Sequence, residues 1–175
     1  MKSNNKSHQN IKRKILYAVP VPKEYLKLWI WYKLDYDIMH DLGYEVIIAN
    51  DIKEILFHIN KVDTVYGWWW HRMVIYIIFC KLFKKKLLIT GALHMFDISG
   101  GDDFSNTSFL KKQLCKISLR YADANLFISK DQYQSITSHI KTSNPKLVYS
   151  SAKHTISELS LLKEKKLQWV EQNYI

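Results

Sequence analysis

Short apolar runs separated by longer, helix-like stretches constrain the fold of this 175-residue chain most strongly. The runs are Ile15–Val19, Val46–Asn50, Asp63–Trp68, Leu87–Thr90, Asn125–Ser129 and Lys146–Ala152. Continuously apolar strands are typical of a sheet covered on both faces, and helices between successive strands make the strands parallel. The pattern predicts an α/β fold, a doubly wound, mostly parallel, Rossmann-like sheet that binds ligands beyond the carboxyl ends of its strands.

The stretches between the runs have the apolar spacing of helices. We predict helices over Glu24–Leu42, Asp51–Ile59, His71–Phe83, Thr107–Tyr121, Ser129–Ile140 and Thr155–Gln172. Two of them carry apolar series that we expect on their inner faces: Leu26, Ile30, Leu34, Ile38 and Leu42 in the first, and Leu110, Leu114, Ile117 and Tyr121 in the fourth. Asp51 with Glu54, and Ser129 with Gln132, have the spacing of a capping box.

The chain divides by composition into a tail, a domain and a terminal segment. We predict a disordered basic tail over residues 1–12, a Rossmann-like domain over 13–156, and a C-terminal helix or the start of an interdomain linker over 157–175. The longest apolar run, Met73–Phe83, falls far short of the roughly 20 residues of a membrane span. We expect no signal peptide, and two cysteines without CxxC spacing favour a reducing cytoplasm.

The charge balance favours anionic partners. The chain has 26 Lys and Arg against 16 Asp and Glu, a net charge of +10, which suits phosphate, anionic lipid or nucleic acid. Nucleotide bias in a chain rich in Lys, Ile and Asn is the alternative explanation. Lys112, Lys116 and Arg120 are spaced by four and form a basic stripe for anionic lipid or a pyrophosphate, unless they are a solvated helix face.

Several common chemistries lack their sequence patterns. The loop after the first strand, VPVPKEY, has no GxGxxG, and no GxxxxGK[ST] occurs in the chain, so NAD-dependent and P-loop chemistry are disfavoured. Ser129 has no GxSxG surroundings and is expected to cap a helix. Cys80 and Cys115 lie within predicted helices and are poor nucleophiles. We expect no cofactor, and no metal in the loop of Asp97, Asp102 and Asp103, where turn chemistry is the stronger explanation.

The predicted strand ends nominate the binding residues. His94 follows the fourth strand, where an imidazole acts as a general base or donates to a substrate oxygen; a solvated loop histidine is the alternative. Trp68, Trp69 and Trp70 precede His71, and aromatic faces stack on sugar rings. In the alternative explanation, two of the three indoles fill the core. We expect at least one of the three to face the cleft. The predicted substrate-binding residues are Trp68, Trp69, His71, Asp97, Ser129 and Lys130.

Four segments together resemble a known family. HDLGYEVIIAN, VDTVYGWWW, KKKLLITGALH and YADANLFISKDQ resemble, in order, motifs in the amino-terminal domain of family-4-like glycosyltransferases of the GT-B fold, over about Ile15–Ile156. The resemblance implies a retaining transferase that moves a sugar from a nucleotide-sugar donor to a glycan, a lipid-linked acceptor or a cell-envelope polysaccharide. It implies acceptor binding by this domain, a sugar-contacting catalytic role for His94, and a match of Ser129 to the family's serine after the fifth strand.

The departures from the family shape the functional expectation. PVPKE stands where the family has a Gly-rich first loop, and SSAKHTIS stands where it has an Asn-Gly segment. The family's second domain binds the donor through an Arg/Lys pair and an E-x7-E segment. A chain of 175 residues leaves no room for that domain. We therefore expect acceptor binding but little transfer by this chain alone, with a donor-binding domain or subunit as partner. We expect a cytoplasmic location, with peripheral attachment to the inner face of the membrane left open.

A different class of function remains as the alternative. It is a non-catalytic, basic, Rossmann-like module that binds anionic membrane or nucleic acid by charge. The sequence contains neither a recognition helix nor a stacked-aromatic RNA motif, so sequence-specific nucleic-acid binding is not expected.

Overall fold

A single parallel sheet organises the part of the chain that the computed structural model describes, residues 13–95 and 104–148. Its strands are β1 Lys14–Ala18, β2 Glu45–Ala49, β3 Thr64–Trp68, β4 Lys86–Gly91, β5 Ala124–Phe127 and β6 Pro145–Leu147. They lie in the order β2-β1-β3-β4-β5-β6, and every neighbouring pair is parallel. The predicted doubly wound, Rossmann-like α/β fold is confirmed. The predicted N-terminal tail, Asp97, Asp102, Asp103 and the predicted C-terminal helix lie outside the described residues.

Helices connect the strands. They are α1 Ile30–Asp41, α2 Ile52–His58, α3 Val74–Leu82, α4 Phe109–Tyr121 and α5 Lys130–His139, with short 3-10 helices at Lys23–Leu28, Ile59–Lys61 and Trp70–Arg72. The predicted caps are present: Asp51 Oδ1 accepts a hydrogen bond from the Glu54 N–H, and Ser129 Oγ accepts one from the Gln132 N–H. These side chains satisfy N–H groups that the first helical turn leaves without a backbone partner.

The sheet has a core on each face because successive strand residues point in opposite directions. Tyr17 and Tyr66 belong to one core, together with Tyr32 and Met39 of α1. The neighbouring strand residues belong to the other, together with the inner residues of α2, α3, α4 and α5. The helical layers are therefore unequal, with α1 on one side and α2 to α5 on the other.

The inner face predicted for the first helix is confirmed in part, because Leu26 and Ile38 are buried, whereas α4 buries a different side from the one that its apolar spacing predicts. In α1 the buried residues are Tyr32, Asp35, Ile38 and Met39, while Ile30 is 65% exposed. In α4 the buried residues are Cys115, Ser118 and Leu119. α4 packs against the 3-10 helix Trp70–Arg72, where the large Trp70 indole is buried, so small side chains face it. The apolar residues of the predicted inner face of α4 are left outside.

None of the helices in the described ranges is both long and apolar enough to cross a membrane.

Candidate functional site

The carboxyl ends of β3, β4 and β5 bring the predicted site segments side by side. Trp68 pairs with Thr90, and Gly91 pairs with Phe127, in adjacent parallel strands. The segments that continue from these strands, 69–71, 92–94 and 128–130, therefore leave the same edge of the sheet. In doubly wound folds this edge is where ligands bind.

The three consecutive tryptophans are each fixed by a hydrogen bond from the indole N–H. Two of the acceptors belong to α1 and hold Trp68 and Trp69 on that side of the sheet, whereas the third belongs to β5 and holds Trp70 on the other side. They are Asp35 Oδ2 for Trp68 at 3.0 Å, the Tyr32 hydroxyl for Trp69 at 3.0 Å, and Asn125 Oδ1 for Trp70 at 2.8 Å.

Two of the three indoles belong to the core. Trp68 is 6% exposed and packs beneath α1, with its ring edge-on to Tyr32. Trp70 is 2% exposed on the opposite face, where it stacks on Phe127 with ring centroids 5.5 Å apart. The prediction that Trp68 contacts a substrate is corrected, because its indole is enclosed by core residues and its N–H is bonded to Asp35.

Trp69 is the half-buried member of the run and lies in a strained turn. Its backbone has φ 76° and ψ 99°, a conformation that costs a residue with a side chain on the order of 1–3 kcal/mol. Its N–H donates to the Thr90 carbonyl at 2.8 Å. A Cβ at Gly91 would lie 3.2 Å from the Trp70 ring and 3.4 Å from the Trp69 backbone nitrogen, so the ring of Trp70 is the group that approaches this glycine most closely.

A small cleft opens beside this turn. It is lined by Trp69, Trp70, His71, Ala92, Leu93, Lys111 and Cys115. The cleft contains two predicted site residues, Trp69 and His71. The cation that lines it is Lys111, one residue before the predicted stripe, whereas Lys112 Nζ donates to the Ser105 carbonyl at 2.7 Å. Periodicity places both lysines on α4 but does not tell which of them reaches the cleft.

His94 stands where the chain leaves β4. Its carbonyl accepts the Phe104 N–H at 2.7 Å, and the Met95 carbonyl accepts the Ser105 N–H at 3.2 Å. These bonds join the described residues on either side of segment 96–103, which contains Asp97. The His94 side chain is half-buried, and its contact with a substrate stays a prediction.

Ser129 and Lys130 open α5 at the end of β5. Ser129 is half-buried and Lys130 is exposed. The hydroxyl of Ser129 caps the helix, as predicted, and its contact with a substrate also stays a prediction. Gln132, which is fully buried, donates from Nε2 to the Gly91 carbonyl at 2.8 Å and accepts the Ile128 N–H at 2.8 Å. This carboxamide, which the sequence does not single out for the site, fixes the end of β4 to the start of α5.

The two thiols are unreactive by environment. Burial raises the pKa of Cys115 to about 11 and that of Cys80 to about 12. A thiol is a nucleophile only as its thiolate, so neither cysteine is suited to attack at neutral pH. In the described part of the chain, no three His, Cys, Asp or Glu residues lie close enough together to hold a metal ion.

A second, apolar pocket lies beneath α1 on the other face of the sheet. It is lined by Ile15, Asp35, Ile38, Met39, Leu42, Tyr44, Thr64, Tyr66, Leu88 and Leu126. Asp35, 4% exposed, accepts hydrogen bonds from the Tyr66 hydroxyl at 2.7 Å and the Trp68 indole. Burial and this carboxylate raise the pKa values of Tyr17 and Tyr66 well above their ordinary value. Both hydroxyls are therefore neutral donors within the core.

No protein-family model matches the chain, and no curated protein matches it. Any function for the chain therefore rests on the fold, on the cleft at the ends of β3 and β4, and on the motifs of the sequence itself.

Proposed function

We propose that this domain binds the acceptor for a retaining glycosyltransferase of the GT-B type, with a nucleotide-sugar as donor. One observation carries the proposal: the cleft at the carboxyl edge of the sheet is lined by Trp69, held in a strained turn, together with His71 and Lys111. The ordered motifs of the sequence support it independently.

The cleft residues suit a carbohydrate. An indole offers an apolar face to the C–H groups of a sugar ring, and a neighbouring cation suits a phosphate or carboxylate on the same molecule. The hydrogen bond from Trp69 to the Tyr32 hydroxyl and the backbone bond to Thr90 restrain this indole before a ligand arrives. A restrained side chain loses less conformational freedom on binding.

Transfer requires a further source of positive charge. A nucleoside diphosphate leaves as an anion, and preorganised charge beside it is commonly the largest catalytic contribution. We assign that charge to a donor-binding domain or subunit, which also closes the cleft against water. His94 contacts the transferred sugar in this proposal, and Ser129 and Lys130 contact the ligand from the end of β5.

Acceptor binding is tested on the chain alone. With ¹⁵N-labelled tryptophan, titration with a panel of soluble glycans and glycan phosphates should shift the Trp69 indole N–H resonance. Trp29, 52% exposed at the start of α1, is the matched control. Trp69→Leu should weaken the binding about tenfold, the scale of one aromatic contact, while Trp29→Leu leaves it unchanged. A panel that moves neither resonance contradicts the proposal.

Catalysis is tested with a donor-binding domain supplied. His94→Ala should lower the transfer rate at least about tenfold, as for loss of a positioned acid–base group, and His40→Ala, an exposed histidine of α1, should not. An unchanged rate in His94→Ala removes the catalytic assignment. Robust turnover by the chain without a donor-binding domain contradicts the division of roles.

A further inference from the structure

The outer sides of α3 and α4 carry an unusual set of exposed apolar side chains. α3 packs beside α4 in the same helical layer. The exposed residues are Ile75, Ile78 and Leu82 in α3 and Phe109, Leu110, Ile117 and Tyr121 in α4, with Leu82, Phe109 and Leu110 between 68% and 77% exposed. We call these seven residues the α3–α4 surface.

The spacing of these residues makes continuous stripes. In α3, Ile75, Ile78 and Leu82 are separated by three and four residues, which places them on one side of the helix. In α4, Leu110, Ile117 and Tyr121 follow the same rule, while the helix buries Cys115, Ser118 and Leu119. A helix that covers a sheet ordinarily turns its polar side outward. Contiguous exposed apolar side chains on a folded domain mark a surface that binds something.

The two segments that carry the α3–α4 surface contain charges of one sign. Segments 74–95 and 104–121 contain no Asp or Glu. Their cations are Lys81, Lys84, Lys85, Lys86, Lys111, Lys112, Lys116 and Arg120. Lys116 and Arg120 are exposed on α4, where they lie about a quarter of a turn or more around the helix from its apolar stripe. The surface therefore presents apolar and basic groups together.

We propose that the α3–α4 surface docks on a bilayer containing anionic lipid. Such an interface accepts both kinds of group at once, because apolar side chains enter below the headgroups while Lys and Arg remain at the level of the phosphates. Arg120 lies against the Tyr121 ring, 5.6 Å from its centroid, a pair with an apolar body and a charged end. The proposal goes beyond acceptor binding and does not depend on it.

Two other occupants fit the same observations less well. A symmetric pair of chains joined through this surface places cations opposite cations, since a two-fold axis brings the same patch together. A nucleic acid gains from the cations but not from Ile75, Ile78, Leu82 or Leu110, because bases stack on aromatic rather than aliphatic side chains. The lipid interface uses both components.

Docking through α4 determines how the cleft is oriented relative to the bilayer. Lys111 lines the cleft and belongs to the first turn of α4. A domain lying on its α3–α4 surface therefore holds the cleft beside the headgroups. If the proposed function holds, an acceptor carried on a lipid reaches Trp69 from the bilayer without leaving it.

The experiment is co-sedimentation of the full chain with vesicles. Vesicles of phosphatidylcholine with phosphatidylglycerol should retain the protein at low ionic strength, and phosphatidylcholine alone should retain far less. Leu110→Asn with Ile117→Asn should reduce retention at least about tenfold. The matched control is Leu56→Asn with Phe57→Asn, two exposed apolar residues of α2, which should leave retention unchanged. Both pairs are exposed, and circular dichroism establishes that each variant is folded.

The contribution of charge is tested with two variants that have the same net charge. Lys116→Glu should weaken retention several-fold, because it reverses a cation at the proposed interface, whereas Lys141→Glu, an exposed residue after α5, should weaken it much less. An Ile117→Trp variant should be quenched by brominated lipid, which reports insertion and not mere electrostatic attraction.

The proposal is overturned by absence of retention on anionic vesicles, or by equal losses in the test and control pairs. It is also overturned if the Leu110 and Ile117 substitutions dissociate a dimer in sedimentation equilibrium while vesicle binding persists. Binding to single-stranded DNA without binding to vesicles assigns the surface to nucleic acid instead. Acceptor binding, measured with soluble glycans, succeeds or fails separately from all of these outcomes.

Discussion

Trp68 and Trp70 are similarly buried on opposite faces of the sheet, but different chemistry holds them. The Trp68 indole donates to a carboxylate, Asp35, which also accepts the Tyr66 hydroxyl. The Trp70 indole donates to a carboxamide, Asn125. The amide group of Asn125 in turn donates to the Leu119 carbonyl at 2.9 Å and the Ser143 carbonyl at 2.7 Å.

The difference shows which secondary-structure elements each side chain can connect. A carboxylate only accepts, so Asp35 serves donors that point at it from β3. A carboxamide accepts and donates, so Asn125 joins the turn after β3 to the end of α4 and to the segment before β6. Asn125 is therefore a junction between separate elements, whereas Asp35 accepts hydrogen bonds from two side chains of one strand, β3, on the α1 face.

The largest effect is expected at the junction. Asn125→Ala leaves the Trp70 N–H and the Ser143 carbonyl without this partner and should cost about 3 kcal/mol of unfolding free energy. Asn125→Asp should cost at least as much, because its carboxylate faces two carbonyl oxygens. Urea denaturation measures both variants. A mild effect of Asn125→Asp would show that the amide donors contribute little.

A smaller effect is expected from the reciprocal exchange. Asp35→Asn keeps one oxygen acceptor for Tyr66 or Trp68 but turns an amide toward the other donor, which should cost about 2 kcal/mol. The loss is limited because a neutral side chain is easier to bury than a carboxylate. The same urea series tests the ranking. An Asp35→Asn variant less stable than Asn125→Asp reverses our view of the two faces.

The close approach at Gly91 should matter mainly on the Trp70 face. Gly91→Ala adds a Cβ 3.2 Å from the Trp70 ring, so this ring shifts slightly at a cost of about 1 kcal/mol. In ¹⁵N spectra the indole N–H signal of Trp70 should move most, while that of Trp68 on the other face should not move. Equal movement of all three contradicts a local contact.

The smallest effect is expected in alkaline solution. Burial raises the pKa of Cys115 to about 11 and that of Cys80 to about 12 on the Trp70 face. A thiol whose pKa is higher in the folded than in the unfolded protein stabilises the folded state. This stabilisation is complete below the unfolded pKa and is lost as the pH rises towards the folded pKa. The unfolding free energy should therefore begin to fall above about pH 9, by less than about 1 kcal/mol for each thiol at pH 9.5.

The control for this pH dependence removes the thiols. Cys80→Ala with Cys115→Ala should make the decline between about pH 9 and 10 shallower. Tyr17 and Tyr66, whose pKa values are raised on the Trp68 face, remain in the variant and lose their contribution at higher pH. An unchanged slope in the double variant contradicts the contribution of the thiols.

The strands and the sheet were predictable because they depend on local composition. The apolar runs predict the first five strands to within two residues at each end and the start of β6 to within one residue. The capping side chains at Asp51 and Ser129 predict the starts of α2 and α5. The buried face of α4, and Ile30 and Asp35 in α1, were not predictable by the same rule. Periodicity assigns the apolar side inward, but the packing of α4 against Trp70 selects Cys115 and Ser118 for the interior.

The site was predictable from the sequence where a short segment has an unusual composition. The run of tryptophans beside His71 marks the cleft, although it does not tell which indole is enclosed. Asp35, Asn125 and Gln132 carry no local signal, because each is a single polar residue whose partners are distant in sequence. Trp70 and Asn125 are 55 residues apart, and only the folded sheet brings them together.

The order of the strands fixes the order in which the sheet can assemble during synthesis. β1 is flanked by β2 and β3, so a three-stranded nucleus is complete once the ribosome has released residue 68. Each later strand joins the edge left by the one made just before it, and growth proceeds in one direction. β6, the last strand in the described ranges, begins with Pro145, whose missing N–H gives a stray strand one fewer donor to pair with.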